Sequence, residues 1–296
     1  MHKLGIILRG MAMGAAEVVP GVSGGTIALI TGIYERILNS IHAVGPPAWR
    51  AWKTHGVAGV WRAIDGNFLV MLLSGMVIAV LMMSKAVLWG LEHQPLALWS
   101  FFFGLIAAAF PLLRRQMGDL NLSTLGLLVL GTAFGIAVSV ISPTEVEATP
   151  PYLFVSGAIA ICAFILPGIS GSFILVLLGV YEQVQQSIHD RDLGFLMIFG
   201  AGALTGLLSF ARLLRWAFQR WPQAMVSLMT GFIAGSLIKI YPYQVESSPW
   251  PLSPSAWADH TQSDPQYALV LGALALGFLL VYSMDRIAMR SHNKEA

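Results

Sequence analysis

The sequence has few charged residues. They make up 11% of its 296 residues, whereas an ordinary soluble domain has roughly 25%. Hydrophobic residues make up 56% and the mean hydropathy is +0.71, which is more apolar surface than a soluble fold can bury. Segments of about 10 residues that alternate polar and apolar side chains, as in an outer-membrane barrel, are also absent. These absences favour a protein made of membrane-spanning helices.

Cysteine is nearly absent as well, and the single Cys162 excludes an internal disulfide. The seven histidines lie in loops, tails or the edges of apolar segments, so we expect no His/Cys metal site and no cofactor. A membrane lipid phosphatase would need a nucleophile or base constellation, such as a buried histidine with an arginine. We therefore predict no catalytic residues and no enzyme activity, and we expect no nucleic-acid partner.

Long apolar segments are what the sequence has instead. Each is close to the roughly 20 residues that a helix needs to cross a bilayer. The segments are residues 68–91, 96–113, 122–141, 193–214, 224–240 and 267–284.

A short motif occurs twice. Pro20-Gly21-Val22-Ser23-Gly24-Gly25 recurs as Pro167-Gly168-Ile169-Ser170-Gly171-Ser172, and the same spacing of 147 matches Gly32, Tyr34 and Glu35 to Gly179, Tyr181 and Glu182. Further along, a spacing of 127 matches Phe68, Gly75, Trp89, Pro95 and Gly104 to Phe195, Gly202, Trp216, Pro222 and Gly231. The shorter spacing predicts a longer loop after the motif in the first half. We predict two repeats, residues 1–147 and 148–296, in one integrated membrane domain.

The segments on either side of the first motif are too short to span. Residues 6–19 and 26–38 form helices of about 20 Å at 1.5 Å per residue, against a bilayer core of about 30 Å. Two such helices joined at a break predict a re-entrant hairpin, which is tolerated only where it is buried in protein or lines a polar cavity. Each repeat is thus predicted to be a re-entrant helical hairpin, at about 6–40 or 152–188, followed by three transmembrane helices.

Charge placement predicts the orientation. With both hairpins re-entrant and both termini cytoplasmic, the inside collects every lysine and arginine except Lys85, Arg191 and Lys239. This distribution follows the positive-inside rule, and we expect a multi-pass protein of the bacterial inner membrane. Three crossings per repeat is an odd number, so the two repeats are predicted to be inverted, as in many secondary transporters.

The motif residues suit an anion site. Pro20 ends the first helix and Ser23 is a good N-cap for the next one. The free N–H groups at the start of that helix then face the membrane centre, where a helix N-terminus favours negative charge. The alternative is that the small residues only permit a tight turn and close packing. The predicted phosphate-binding residues are Ser23, Gly24, Gly25 and Thr26 in the first repeat, and Ser170, Gly171 and Ser172 in the second.

Glu17 lies in an apolar segment three residues before Pro20, and its counterpart at the spacing of 147 is Phe164. A carboxyl group at that depth is costly and is a candidate proton carrier; the alternative is a carboxyl that caps the neighbouring backbone. Several other charges are secondary candidates, for which interfacial anchoring is an equal explanation. They are Glu35, Arg36, Glu182, Lys85 and Arg212.

The paired motifs resemble those of the PopT-type undecaprenyl-phosphate translocases, a family long described as a domain of unknown function. The resemblance rests on Met13-Gly14, on the first motif with Thr26 and Gly32-Ile33-Tyr34-Glu35, and on the second motif with Gly179-Val180-Tyr181-Glu182. It covers essentially the whole chain. Where the first motif has Gly25 the second has Ser172, so the roles of the two motifs stay open.

The resemblance implies a function. Members return the lipid carrier undecaprenyl phosphate from the outer to the inner leaflet, for reuse in cell-wall polymer synthesis. The implied partners are a polyprenyl-phosphate lipid and membrane lipids, and protons through Glu17 are the candidate coupling ion. The alternative is a secondary transporter of a small soluble anion, which would have a closed central cavity.

Overall fold

The fold is helical throughout the part of the chain that the structure, a computed structural model, describes. That part comprises residues 3–18, 22–119, 121–141, 146, 149–245 and 248–292. Pro20 and Gly21 of the first motif and the predicted repeat boundary at 147/148 lie outside these residues. Within the described residues the chain forms helices and no strands.

The helices of the first half follow one another in a fixed order. They are α1 (Lys3–Glu17), α2 (Gly24–Ile30), α3 (Tyr34–Ala43), α4 (Pro46–Ala63), α5 (Gly66–His93), α6 (Pro95–Ala107), α7 (Ala109–Gln116) and α8 (Leu122–Val140).

The second half repeats much of this order. Its helices are α9 (Pro150–Ile165), α10 (Gly171–Leu177), α11 (Tyr181–Asp190), α12 (Leu193–Arg220), α13 (Pro222–Ile240), α14 (Pro254–Thr261) and α15 (Tyr267–His292). The helices α2 and α10 have seven residues each, α3 and α11 have ten each, and α5 and α12 have 28 each.

Five stretches of the described residues are long and apolar enough to cross a membrane. They are Pro46–His93, Pro95–Gln116, Leu122–Val140, Leu193–Arg220 and Pro222–Ile240. The apolar part of α15, Tyr267–Ser283, is a shorter helix. The prediction of an all-α polytopic membrane protein is therefore confirmed.

The second arm of each hairpin differs from the prediction of one continuous helix. Gly32 has φ +71° and Gly179 has φ +68°, and these residues separate α2 from α3 and α10 from α11. Hydrogen bonds close both helix ends, since the Ile33 N–H donates to the Ala28 carbonyl and the Val180 N–H donates to the Leu175 carbonyl. A left-handed backbone of this kind ends helices and favours glycine.

The long loop predicted in the first half is a helix, α4. Its tryptophans Trp49, Trp52 and Trp61 are exposed, and the Lys53 ammonium lies 5.2 Å from the centre of the Trp49 ring. The helix is kinked at Gly56, which has φ +60°. Exposed tryptophan with lysine and arginine is typical of a helix that lies at a membrane surface.

The chain forms two compact units. The first consists of Met1–Met82 and Ser142–Met225, and it contains both hairpins with α4, α12 and the part of α5 up to Met82. Here α1 packs on α5 and α9 packs on α12 through glycines. A methyl group on Gly75 would collide with the Ile7 carbonyl, and one on Gly202 would collide with the Phe154 carbonyl. Small residues allow such close backbone contact between membrane helices.

The second unit consists of Met83–Ile141 and Val226–Ala296. Its α6 packs on α15 and its α13 packs on α8. Gly104 lies against the Leu274 carbonyl in the first pair, and Gly231 lies against the Leu128 carbonyl in the second. Each pair thus joins one helix of the first half to one helix of the second.

Candidate functional site

The first tip, defined as residues 22–26, begins α2. Ser23 has an extended backbone (φ −111°, ψ 128°) and its Oγ accepts a hydrogen bond of 3.2 Å from the Gly25 N–H. The Thr26 N–H donates to the Ser23 carbonyl at 3.0 Å. Ser23 is therefore the N-cap that the sequence predicts. The cap satisfies N–H groups that would otherwise be free.

The Glu17 side chain bonds to the first residue of α2, Gly24. Its Oε1 accepts a hydrogen bond of 2.7 Å from the Gly24 N–H, and the Glu17 side chain is half-buried. Glu17 ends α1, so this bond links the two arms of the hairpin. The carboxyl group therefore accepts from an N–H group that the sequence predicts to donate to a phosphate.

The first tip also contacts the second hairpin. The Gly168 N–H donates to Thr26 Oγ1 at 2.8 Å, and Ser23 Oγ donates to the Leu166 carbonyl at 3.3 Å. Ser23 is 1% exposed and Thr26 is 0% exposed. A methyl group on Gly25 would lie 2.7 Å from the Ile165 carbonyl oxygen. The two hairpins thus meet in a buried, hydrogen-bonded seam, which we call the tip seam.

The second tip, defined as residues 167–172, is bonded less tightly. Ser170 caps α10 and accepts from the Phe173 N–H at 3.5 Å, and its Oγ lies 2.9 Å from the Ser172 Oγ. Ser170 and Gly171 are buried, whereas Ser172 is exposed. Phe164 stands at the position of Glu17, so no carboxyl group reaches the start of α10 from this position.

The secondary charged candidates lie at the helix ends away from this seam or on exposed faces. Glu35 and Glu182 are exposed in the first turns of α3 and α11. The Arg36 Nε donates to Asp65 Oδ2 at 2.7 Å, and its guanidinium lies 4.1 Å from the centre of the Phe68 ring. Lys85 and Arg212 are exposed on α5 and α12.

Several residues that contact the candidate site residues are not predicted from the sequence. Leu166 and Gly168 take part in the tip seam through their backbones, and the Thr26 hydroxyl, for which the sequence predicts no role, accepts there. Asp65 pairs with Arg36, and the Asn39 Oδ1 accepts from the Arg215 Nε at 2.6 Å. These partners are far apart in sequence, and no spacing or motif would have found them. Among the described residues, no three His, Cys, Asp or Glu side chains are grouped to hold a metal.

Comparisons with known proteins identify the family of this chain. The family model described as undecaprenyl phosphate translocase-like matches residues 13–253. A protein named polyprenyl-phosphate transporter from Vibrio cholerae is 40% identical over 97% of this chain and 98% of its own length. One of the same name from Staphylococcus aureus is 30% identical over 80% of this chain and 85% of its own length. No solved structure is significantly similar. The chain therefore belongs to the undecaprenyl phosphate translocase-like family.

Proposed function

We propose that this protein carries a polyprenyl phosphate across the bacterial inner membrane, from the outer to the inner leaflet, so that the lipid carrier is reused in cell-wall polymer synthesis. The observation that carries the proposal is the tip seam: backbone N–H groups of two hairpins lie together in the buried interior of a membrane protein of this family. The names of the two relatives give the same substrate class.

The head group is proposed to bind where the two tips meet, at Ser23, Gly24, Gly25 and Thr26 with Ser170, Gly171 and Ser172. In the described state the Gly24 N–H is bonded to Glu17 and the Gly168 N–H to Thr26. Phosphate oxygens would take the place of the neutral Thr26 hydroxyl, and of the Glu17 carboxyl in its protonated form, because charge-assisted hydrogen bonds are about twice as strong as neutral ones. The structure then corresponds to a closed state, and the tips part when the head group binds.

Inversion of the two repeats is supported by the contacts of α12. Its 28 residues are about 42 Å long, enough to cross the bilayer core of about 30 Å. The first hairpin packs on the C-terminal part of α12, where the Tyr34 and Phe218 rings lie 5.4 Å apart. The second hairpin ends immediately before α12, whose N-cap is Asp192. The bases of the hairpins thus lie near opposite ends of one spanning helix.

A labelling experiment tests the inversion and the orientation. Single cysteines at Thr54 and at Ser253, in a Cys162→Ala background, should react with a membrane-impermeant reagent from opposite sides. With the N- and C-termini cytoplasmic, Thr54 should label from the inside. Labelling of both positions from one side would exclude the proposed inverted topology.

Proton coupling through Glu17 is proposed as the driving force. A phosphate monoester carries about −1.5 to −2 charges near neutral pH. Moving it inward against an inside-negative potential costs about 2.3 kcal/mol per charge per 100 mV, so the uphill step is on the order of 4 kcal/mol. Protons moved with the head group would offset this cost. Consumption of the lipid inside could do so too, through a gradient of about a thousandfold, since about 1.4 kcal/mol corresponds to a factor of ten.

Transport in liposomes tests the function itself. Purified protein should lower the outer-leaflet content of polyprenyl phosphate, without releasing inorganic phosphate, and should leave the content of polyprenol unchanged. Uptake of inorganic phosphate with no movement of the lipid would instead assign the protein to the transport of small soluble anions. Release of phosphate from the lipid would identify an enzyme.

A further inference from the structure

The base of the first hairpin contains a cluster of basic side chains. It forms where the end of α3 packs on the last part of α12. The Arg215 Nε donates to the Asn39 Oδ1 at 2.6 Å. Arg212, one turn earlier on α12, lies beside the turn after α3, since a methyl group on Gly45 would be 2.8 Å from its Nη2. The last turn of α3 adds His42. We call Arg212, Arg215 and His42 the base cluster.

No ion pair among the described residues neutralises the charge of the base cluster. Among the described residues, neither Arg212 nor Arg215 has a carboxylate oxygen within 4.0 Å. Glu35 lines a small cleft together with Asn39 and Arg215, but it forms no ion pair at that distance. Arg36 on the same helix differs, because Asp65 pairs with it at 2.7 Å. Two guanidinium groups are therefore left with excess positive charge.

The pKa of His42 is lowered in part by that excess charge. Partial burial, together with the positive charges of Arg215 and Arg212, lowers the pKa of the His42 imidazole. Its Nδ1 is buried, and in the part of the chain that the structure describes it has no hydrogen-bond partner. A buried polar atom without a partner is costly. Both the missing hydrogen bond and the missing negative charge would be supplied by one anion.

Guanidinium groups bind phosphate through paired N–H donors, and two of them match a doubly charged phosphate better than a singly charged diester. We propose that Arg212, Arg215 and His42 form a second binding site, for the phosphate dianion of a monoester, at the base of the first hairpin. The site is separate from the tip seam. In its lipid form the ligand rests on the proposed function, and the site would hold the head group at the membrane face before or after it passes the tips.

The source of the phosphate is either a lipid head group or the free ion, and both present the same dianion. Protection from phenylglyoxal, which modifies arginine, separates them in the full-length protein held in nanodiscs of neutral lipid. Polyprenyl phosphate should protect Arg212 and Arg215, whereas polyprenol should not. Equal protection by inorganic phosphate would assign the site to the free ion. Protection by polyprenyl phosphate alone would assign it to the lipid.

Matched variants make the test specific. Arg212→Gln should weaken the protection of Arg215, and Arg215→Gln that of Arg212, by about tenfold or more in the concentration of the phosphate compound that is required, because a hydrogen bond to a charged group contributes at least that factor. Arg220→Gln is the control, since Arg220 is on the same helix and lies over the Trp221 ring, 5.9 Å from its centre. It should bind as the wild type does.

Three results would overturn the second site. They are unprotected Arg212 and Arg215 with both phosphate compounds, unchanged protection of the remaining arginine in each single variant, and equal weakening in the Arg220→Gln control. Failure of the proposed function looks different, because polyprenyl phosphate would then not be transported by the wild type at all. A protein that transports the lipid while Arg212 and Arg215 stay unprotected would refute only the second site.

Discussion

The two hairpins share a motif but hold their tips differently. In the first, the Gly24 N–H is bonded to Glu17 and the Thr26 hydroxyl is bonded to the other hairpin. In the second, Phe164 replaces Glu17 and the side chain of Ser172 is exposed where the first tip has the buried Gly25. The duplicated motif thus produces one tip that is fixed by internal partners and one that is freer. We infer that the first tip holds the closed state and that the second provides one accessible hydroxyl group, that of Ser172.

Gly25→Ala should have the largest effect, because it attacks the tip seam at its closest point. The added methyl group would lie 2.7 Å from the Ile165 carbonyl oxygen, and overpacking of this kind costs about 1–3 kcal/mol. We expect the free energy of unfolding to fall by about 1–3 kcal/mol, and leaflet-resolved transport of polyprenyl phosphate to fall as well, because the two hairpins can no longer meet at this contact. Gly200→Ala is the control, since nothing lies within 4 Å of its added methyl group. Equal rates in the two variants would show that the close contact is irrelevant.

Glu17 is the clearest difference between the two tips, and two substitutions distinguish its possible roles as a helix cap and as a proton carrier. Glu17→Ala leaves the buried Gly24 N–H without its partner and should destabilise the protein by about 1–3 kcal/mol in thermal unfolding. Glu17→Gln keeps an oxygen acceptor but cannot carry a proton. It should retain lipid binding and lose the dependence of transport on a pH gradient. If transport in Glu17→Gln is still driven by a pH gradient, Glu17 is only a helix cap and the lipid gradient is the driving force.

Thr26→Val tests the bond between the hairpins. Valine has nearly the same shape but cannot accept from the Gly168 N–H, so the seam should weaken by about 1–2 kcal/mol. Hydrogen exchange at the Gly168 amide should become faster by about tenfold, in line with that energy. Exchange as slow as in the wild type would mean that the seam does not depend on this bond.

Ser172→Ala should have the smallest effect on stability, below about 1 kcal/mol, because the hydroxyl group is exposed and bonds only Ser170 among the partners seen at this tip. If the second tip supplies hydroxyl groups to the head group, this variant should still weaken lipid binding while thermal unfolding stays unchanged. Destabilisation as large as in Thr26→Val would remove the distinction between a fixed and a freer tip.

Much of the fold could be predicted from local sequence. Apolar segments gave the long helices, and Ser23 and Ser170 were recognisable as N-caps after a Pro-Gly break. The sequence does not predict the helix breaks at Gly32 and Gly179, because an isolated glycine after an apolar segment is also compatible with a continuing helix. The sequence predicts a loop where α4 forms, since the tryptophans and basic residues of this segment follow no apolar periodicity.

The site was predictable in composition but not in its bonds. The predicted donors Gly24 and Gly25 are at the start of α2 as expected, yet their partners Glu17 and Ser23 belong to the protein itself. The bond from Gly168 to Thr26 spans 142 residues and the bond from Arg215 to Asn39 spans 176. Helix periodicity relates residues only three or four positions apart, so pairings at such distances follow from tertiary packing.

A reversible cross-link across the tip seam tests most directly whether transport requires the tips to part. The cross-link joins Ser23→Cys to Leu166→Cys in a Cys162→Ala background. These two residues are in contact, since the Ser23 Oγ lies 3.3 Å from the Leu166 carbonyl oxygen. Each single cysteine serves as a control, and mass spectrometry verifies that the disulfide forms. We predict that oxidation stops the transport of polyprenyl phosphate in liposomes and that reduction restores it. Transport at the same rate in the fully cross-linked protein would contradict the account.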